Sequence, residues 1–172
     1  MARQLVMIAS GEWQRSPTMT DYRVEWVSGM LVERATWARE AAEIRIGRTV
    51  VAAPGYIWFR FWLQENEQVV EKYFDAARNP VGVYVPITAG WRRRDTRMIA
   101  PSLFLGLWLD AVGRLTVFNE RLFDEAAKAG DLTPVEVELA EQRIRTLTAA
   151  INRKNFPPAV IKNLQLESGK TA

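Results

Sequence analysis

Residues 56–119 hold four apolar runs separated only by short polar breaks, and this succession constrains the fold more than anything else in the chain. The runs are residues 56–63 (YIWFRFWL), 68–75 (QVVEKYFD), 81–88 (VGVYVPIT) and 102–118 (SLFLGLWLDAVGRLTVF). Each is rich in β-branched and aromatic side chains. Each is bounded by turn formers, among them Pro54-Gly55 and residues 64–67 and 76–80, which is the pattern of antiparallel strands. In the first run Ile57, Phe59, Phe61 and Leu63 share one face, and Tyr56, Trp58, Arg60 and Trp62 share the other. Both faces are bulky, which predicts a core on one side and a partly covered surface on the other. Arg60 reads first as a cation stacked between Trp58 and Trp62, and second as a cation aimed into an anion pocket. Pro86 has no backbone donor and marks an edge, a bulge or a strand end. In the last run Leu103, Leu105, Leu107 and Leu109 alternate with Ser102, Phe104, Gly106, Trp108 and Asp110, and residues 111–113 turn the chain into residues 114–118.

The flanking segments extend this sheet and then close it. Residues 5–10 form a first strand and residues 11–20 a loop, and residues 22–27 and 30–37 flank Ser28-Gly29 as a hairpin. Residues 38–43 fit a helical turn or a wide loop equally well. Residues 43–46 and 48–53 bracket Gly47 as short strands. Residues 89–100 are a loop carrying Arg92, Arg93, Arg94 and Arg97 beside Trp91. Asn119 is expected to cap a helix that ends at Gly130, with Phe118 and Phe123 as its hydrophobic staple. Thr133, Pro134 and Glu136 open a second helix through a capping box, stapled by Leu132 and Val137. Its apolar stripe of Ala140, Ile144, Leu147 and Ile151 should pack on the sheet. Pro157-Pro158 stops it near Lys154. Many short strands with helices only at the end favour an α+β, mainly β fold: an antiparallel barrel, closed or nearly so, capped by two C-terminal helices. One domain then spans residues 1–158. The tail, residues 159–172, either docks through Val160, Ile161 and Leu164 or stays disordered.

Composition narrows the chemistry. A chain of 172 residues buries a core without staples, and its lack of cysteine excludes disulfides and thiolate catalysis. Its lack of histidine removes the usual neutral-pH base, Ser-His triads and imidazole zinc sites. Any protein-bound metal would be a hard, oxygen-ligated ion. No run reaches the ~20 apolar residues of a membrane span, so a cytoplasmic protein without membrane partners is expected. The net charge of +3 is too small for a bulk nucleic-acid argument, and the arginine cluster reads first as solvated surface. Strand edges and tryptophans permit a homodimer without requiring one.

From Val69 onward the motifs VVEKYFD (residues 69–75), VGVYV (81–85), LGLWL (105–109), the turn ending in Gly113 and FNERLFDEA (118–126) resemble, in order and spacing, the FomD-like family. The resemblance covers a little over half the chain and implies a small β-barrel with C-terminal helices. It also implies metal-dependent hydrolysis of nucleoside di- and triphosphates or of a cytidylyl phosphonate. In the family an Asp-x-Asp-x-Asp strand, an Asn or Asp on the strand before it and an acidic helix start hold the cation. Here the three aspartate positions fall on Ser102, Phe104 and Gly106, the earlier position on Pro86, and the helix start keeps only Glu120.

Three readings follow. The first is a member without the metal chemistry that binds a nucleotide or other phosphate-bearing ligand through Arg60, Lys72, Tyr84, Trp108 and Arg97, with no cofactor. The second is a rearranged hydrolase of nucleotides or phosphate anhydrides using Lys72, Asp110 and Glu120, with magnesium or manganese. The third is an RNA-contacting protein using Trp91 and the arginine loop.

Overall fold

The computed structural model describes residues 6–167, so the expected start of the first strand at Leu5 and the end of the tail lie outside the described residues. Eleven strands precede three helices among them. The strands are β1 (Met7–Ala9), β2 (Met19–Val27), β3 (Met30–Trp37), β4 (Ile44–Ile46), β5 (Thr49–Ala52), β6 (Ile57–Trp62), β7 (Val69–Phe74), β8 (Pro80–Thr88), β9 (Arg92–Arg94), β10 (Arg97–Asp110) and β11 (Leu115–Phe118). The helices are α1 (Glu120–Ala129), α2 (Pro134–Asn152) and α3 (Ala159–Lys162). Residues 38–43 form no helix, and the expected loop at residues 11–20 holds a 3-10 turn, Glu12–Arg15, before β2 begins.

The main sheet runs β1-β10-β8-β7-β6-β3-β2, with β9 and β11 also paired to β10, and β4-β5 form a separate hairpin. All pairings are antiparallel. The expected barrel is therefore a curled half-barrel that stays open, since among the described residues no ladder joins β2 to β1. The turn at Glu12–Arg15 plugs the opening instead. Its Trp13 is buried against Met19 and Ala35, and the Gly11 amide donates to the Glu33 carboxylate at 2.6 Å.

Two-residue periodicity sorts the side chains onto two faces. On one, Ile57, Phe59, Phe61, Val70, Phe74, Val83, Val85 and Leu107 meet the helices in the largest cluster. Phe123 of α1, Ile161 of α3 and the predicted α2 stripe of Ala140, Ile144, Leu147 and Ile151 belong to that cluster. On the other face three smaller clusters form under β1 and the start of β10, under Trp13, and under the β4-β5 hairpin. The second face of β6 is more covered than expected at Arg60 and Trp62, which are buried, while Tyr56 and Trp58 stay half-buried.

Local expectations divide on backbone geometry. The Thr133 hydroxyl accepts the Glu136 amide and the Glu136 carboxylate accepts the Thr133 amide, so the capping box forms as expected. Asn119 makes no side-chain cap. The chain passes straight from β11 into α1 through a left-handed residue at φ 67°, which lacks the extended geometry of a capping residue. Phe118 and Phe123 then pack in different clusters and form no staple.

The arginine loop is a hairpin of β9 with the start of β10. Pro86 sits opposite a bulge: Thr88 pairs with Ser102 and Pro86 with Gly106, so two residues of β8 span four of β10. Within the bulge Phe104 takes φ 74° and turns its ring onto the helix-side core, so it does not share a face with Ser102 and Gly106.

Candidate functional site

Cross-strand register assembles a row of side chains over the half-barrel's second face. Glu33 pairs with Arg60, Arg60 with Glu71, Glu71 with Tyr84, and Tyr84 with Trp108. Three of the expected ligand-binding residues, Arg60, Tyr84 and Trp108, thereby come together. Each is held by protein. Arg60 donates to Glu71 at 2.7 Å, to Glu12 at 2.5 Å and to the Ala9 carbonyl at 3.3 Å. Its guanidinium does stack on an indole, but on Trp13 at 4.5 Å and not on the neighbouring Trp58 or Trp62. Burial alone would lower its pKa. The carboxylates of Glu71, Glu12 and Glu33 outweigh that and raise it.

Glu33 is wholly buried and accepts from Gly11, from the Tyr22 hydroxyl at 2.6 Å and from the Trp62 indole at 2.7 Å. Burial, then Glu33, pushes the Tyr22 phenol up, and burial with Glu71 does the same to Tyr73 and lifts Tyr84 to about 12. Tyr84 and Trp108 lie over glycines. A Cβ on Gly106 would strike the Tyr84 hydroxyl, and one on Gly82 would come within 2.5 Å of the Trp108 ring.

The positions that the family resemblance assigns to a cation lie beside this row and do not fit one. Pro86 offers only its carbonyl, which accepts the Gln68 amide at 3.2 Å. The Ser102 hydroxyl accepts the Phe104 amide at 3.1 Å, Phe104 is turned into the core, and Gly106 lies under Tyr84. A hard cation takes about six oxygens. Among the described residues no group of three or more Asp or Glu side chains could hold a metal ion.

A cavity opens on the opposite, helix-side face. It measures about 520 Å³ and separates β7, β8 and the end of β10 from the segment that follows α2. Lys72 and Asp110 both line it, with Gly82, Leu109, Lys154, Phe156 and Lys162. Lys72 is buried, and its Nζ donates to the carbonyls of Ile161 at 2.8 Å, Lys162 at 3.2 Å and Leu164 at 2.9 Å. A lysine over the last carbonyls of a helix is favourable in charge and hydrogen bonding. No carboxylate forms an ion pair with it among the described residues. Burial holds its pKa below the ordinary value. Asp110 Oδ1 accepts the amides of Val112 and Arg114 and shapes the β10-β11 turn.

Glu120 is exposed at the start of α1 and does not line this cavity, so the three expected catalytic residues do not converge. Arg97 lies elsewhere, donating from Nε to the Ser10 carbonyl at 3.3 Å. Lys154, Phe156 and Lys162 were not singled out by sequence reasoning. Their common feature, a pair of lysines and a ring on either side of Pro157-Pro158, acquires meaning only once Ile161 anchors the tail against the sheet.

An open antiparallel half-barrel backed by C-terminal helices is consistent with the FomD-like fold. No family model matches the sequence, and no curated protein does. Among solved structures, FomD in complex with CDP is similar at a TM-score of 0.63 and 14% identity, over 86% of this chain and 84% of that protein. The phosphatase SC4828 with the non-hydrolysable nucleotide GPCP is similar at 0.60 and 16%, over 67% of this chain and only 55% of that protein. A protein of unknown function, DUF402, from Rhodococcus sp. RHA1 is similar at 0.51 and 20%, over 78% and 71%. At these identities the likeness shows the fold alone. No described helix is long and apolar enough to cross a membrane.

Proposed function

We propose that this chain binds a nucleotide or a similar phosphate-bearing ligand, without a metal, in the cavity between the half-barrel and its C-terminal segment. One observation carries the reading. The cavity holds a buried ammonium, Lys72, with no carboxylate paired to it among the described residues, and exposed Lys154 and Lys162 add two further cations at its lining. Among the described residues Asp110 is the only acidic side chain there, and one of its oxygens is committed to two backbone amides. An anion entering this space meets net positive charge, and the half-buried ring of Phe156 offers a face to a planar base. The complexes of FomD with CDP and of the phosphatase with GPCP support a nucleotide as the class of ligand.

Binding without turnover is the form of this reading that the side chains favour. Lys72 is engaged by three carbonyls, Glu120 lies apart, and the resemblance-assigned cation positions carry a proline, a serine, a phenylalanine and a glycine. The test pairs two measurements. Calorimetric titration of CDP and of pyrophosphate in the presence of EDTA should show binding that manganese does not improve and that Lys154→Ala weakens. Phosphate release from nucleoside di- and triphosphates with magnesium or manganese should stay at background. Turnover that disappears in Glu120→Gln would replace this reading with the hydrolase one.

A further inference from the structure

A second groove, on the other side of the molecule, is built differently. It lies between the β9-β10 hairpin, the 3-10 turn and edge strand β2, and measures about 370 Å³. Arg15, Arg93 and Arg97 line it, and among the described residues no acidic side chain does. None of the three is ion-paired among the described residues. Arg93 and Arg97 each use Nε on a backbone carbonyl, of Asp95 and of Ser10, both at 3.3 Å. Those bonds fix each guanidinium plane while leaving its terminal nitrogens for a ligand. The Glu33 carboxylate nearest the floor is committed to Gly11, Tyr22 and Trp62.

Aromatic surface completes the groove. Trp26 of β2 is 55% exposed, an unusual position for an indole, and it lines the groove with half-buried Tyr22. Trp91, the aromatic that the sequence sets beside the arginines, has another role. Its indole donates to the Leu63 carbonyl at 2.6 Å and packs edge-on to Trp62. The aromatic partner of the arginine hairpin is contributed from a strand about seventy residues earlier.

We propose that this groove binds single-stranded nucleic acid. Fixed guanidiniums suit successive phosphates, and an exposed indole with a neighbouring phenol ring suits unstacked bases. An acidic peptide would satisfy the arginines but would leave the indole without a planar partner. A duplex offers no free base faces. The groove's size fits one or two nucleotides of a longer strand, which makes affinity modest and dependent on salt.

Fluorescence anisotropy of the full chain with a labelled oligouridylate of about ten nucleotides tests this. Binding should weaken with salt along a log–log slope of about −2, from three phosphate contacts at about 0.7 each. Arg15→Ala and Arg93→Ala, both at exposed side chains, should each flatten that slope by roughly a third. Trp26→Ala should weaken binding by on the order of tenfold at unchanged slope. Val135→Ala, at an exposed position on α2 outside both cavities, should change nothing. No binding in dilute salt overturns the proposal, as does a slope that ignores both arginine substitutions. So does polyglutamate competition at equal charge that is indifferent to Trp26→Ala, since it would make the groove a site for acidic peptides.

Discussion

Arg60 and Lys72 are both buried cations on adjacent, paired strands, yet they sit on opposite faces of the sheet and in opposite electrostatic circumstances. Arg60 faces the row of Glu33, Glu71 and Tyr84 and is bonded to two carboxylates, so its charge is more than cancelled locally. Lys72 faces the helices and meets three carbonyl dipoles and, at 5.4 Å, the face of the Phe74 ring. A carbonyl satisfies the ammonium's hydrogen bonds without neutralising its charge. The first arrangement closes a fold. The second leaves a positive potential in a cavity and is the better place to look for a ligand. The wider lesson is that burial of a charge says little until its counter-charges are counted.

The largest expected effect comes from breaking the neutralised side. Arg60→Met leaves Glu71 buried without its cation, and loss of one partner of a buried pair costs about 3–5 kcal/mol. Urea unfolding followed by far-UV circular dichroism should show that loss. The double variant Arg60→Met/Glu71→Leu should recover much of it, because both desolvation penalties then disappear. A double variant as unstable as the single one would mean that Arg60 acts mainly through Glu12 and the Ala9 carbonyl.

The same row predicts alkaline behaviour. In the folded state Tyr22, Tyr73 and Tyr84 hold their protons above the ordinary value of 10.0, and the unfolded chain releases them near that value. Above pH 10 the folded state therefore binds more protons, and stability falls as pH rises. Below pH 10 the contribution is fully present. Since each displaced unit is worth about 1.4 kcal/mol, three delayed phenols make the decline steep. Phenolate absorbance should show Tyr22, Tyr73 and Tyr84 appearing together with unfolding. Independent titration of these three phenols near pH 10 would contradict the buried row.

A smaller effect is expected where the row meets β10. Gly106→Ala drives a methyl group into the Tyr84 hydroxyl, and overpacking of this kind costs about 1–3 kcal/mol. Combining it with Tyr84→Phe should relieve part of the cost, which thermal denaturation of the three variants measures.

Sequence patterning reaches different depths in these regions. Alternation in residues 57–62 and 69–74 places Arg60 opposite Glu71 once the Gln64–Glu67 turn is recognised, because the period of two leaves no freedom once one pair is set. Alternation holds for Leu103, Leu105, Leu107 and Leu109, which share the helix-side core, and fails only at Phe104, whose ring joins them at a bulge that nothing in the string SLFLGLWLD announces. Openness of the barrel escapes local reading as well. It depends on whether β1 and β2 meet, and Trp13 on a 3-10 turn decides that they do not. The cavity is the least legible feature. Lys72 is about ninety residues from the carbonyls it touches, and the short α3 helix that presents them has no periodicity long enough to detect.

Lys72→Met should have the smallest effect on the fold and the largest on the ligand. The substitution removes three charge-assisted hydrogen bonds but also removes the cost of burying a charge, so the stability change should stay within about 1 kcal/mol. Anion binding has no such compensation and should be lost, whereas a merely structural lysine would lose stability and spare binding. Titration of pyrophosphate against pH separates these outcomes in the unaltered chain. Burial already holds the Lys72 pKa below the ordinary 10.5. Affinity should therefore begin to fall below pH 10.5 as that one charge is lost, and the fall should be absent in Lys72→Arg, whose guanidinium keeps its charge across the range. An affinity that falls alike in both proteins would transfer the role to the rim lysines and leave Lys72 as the cap of α3 alone.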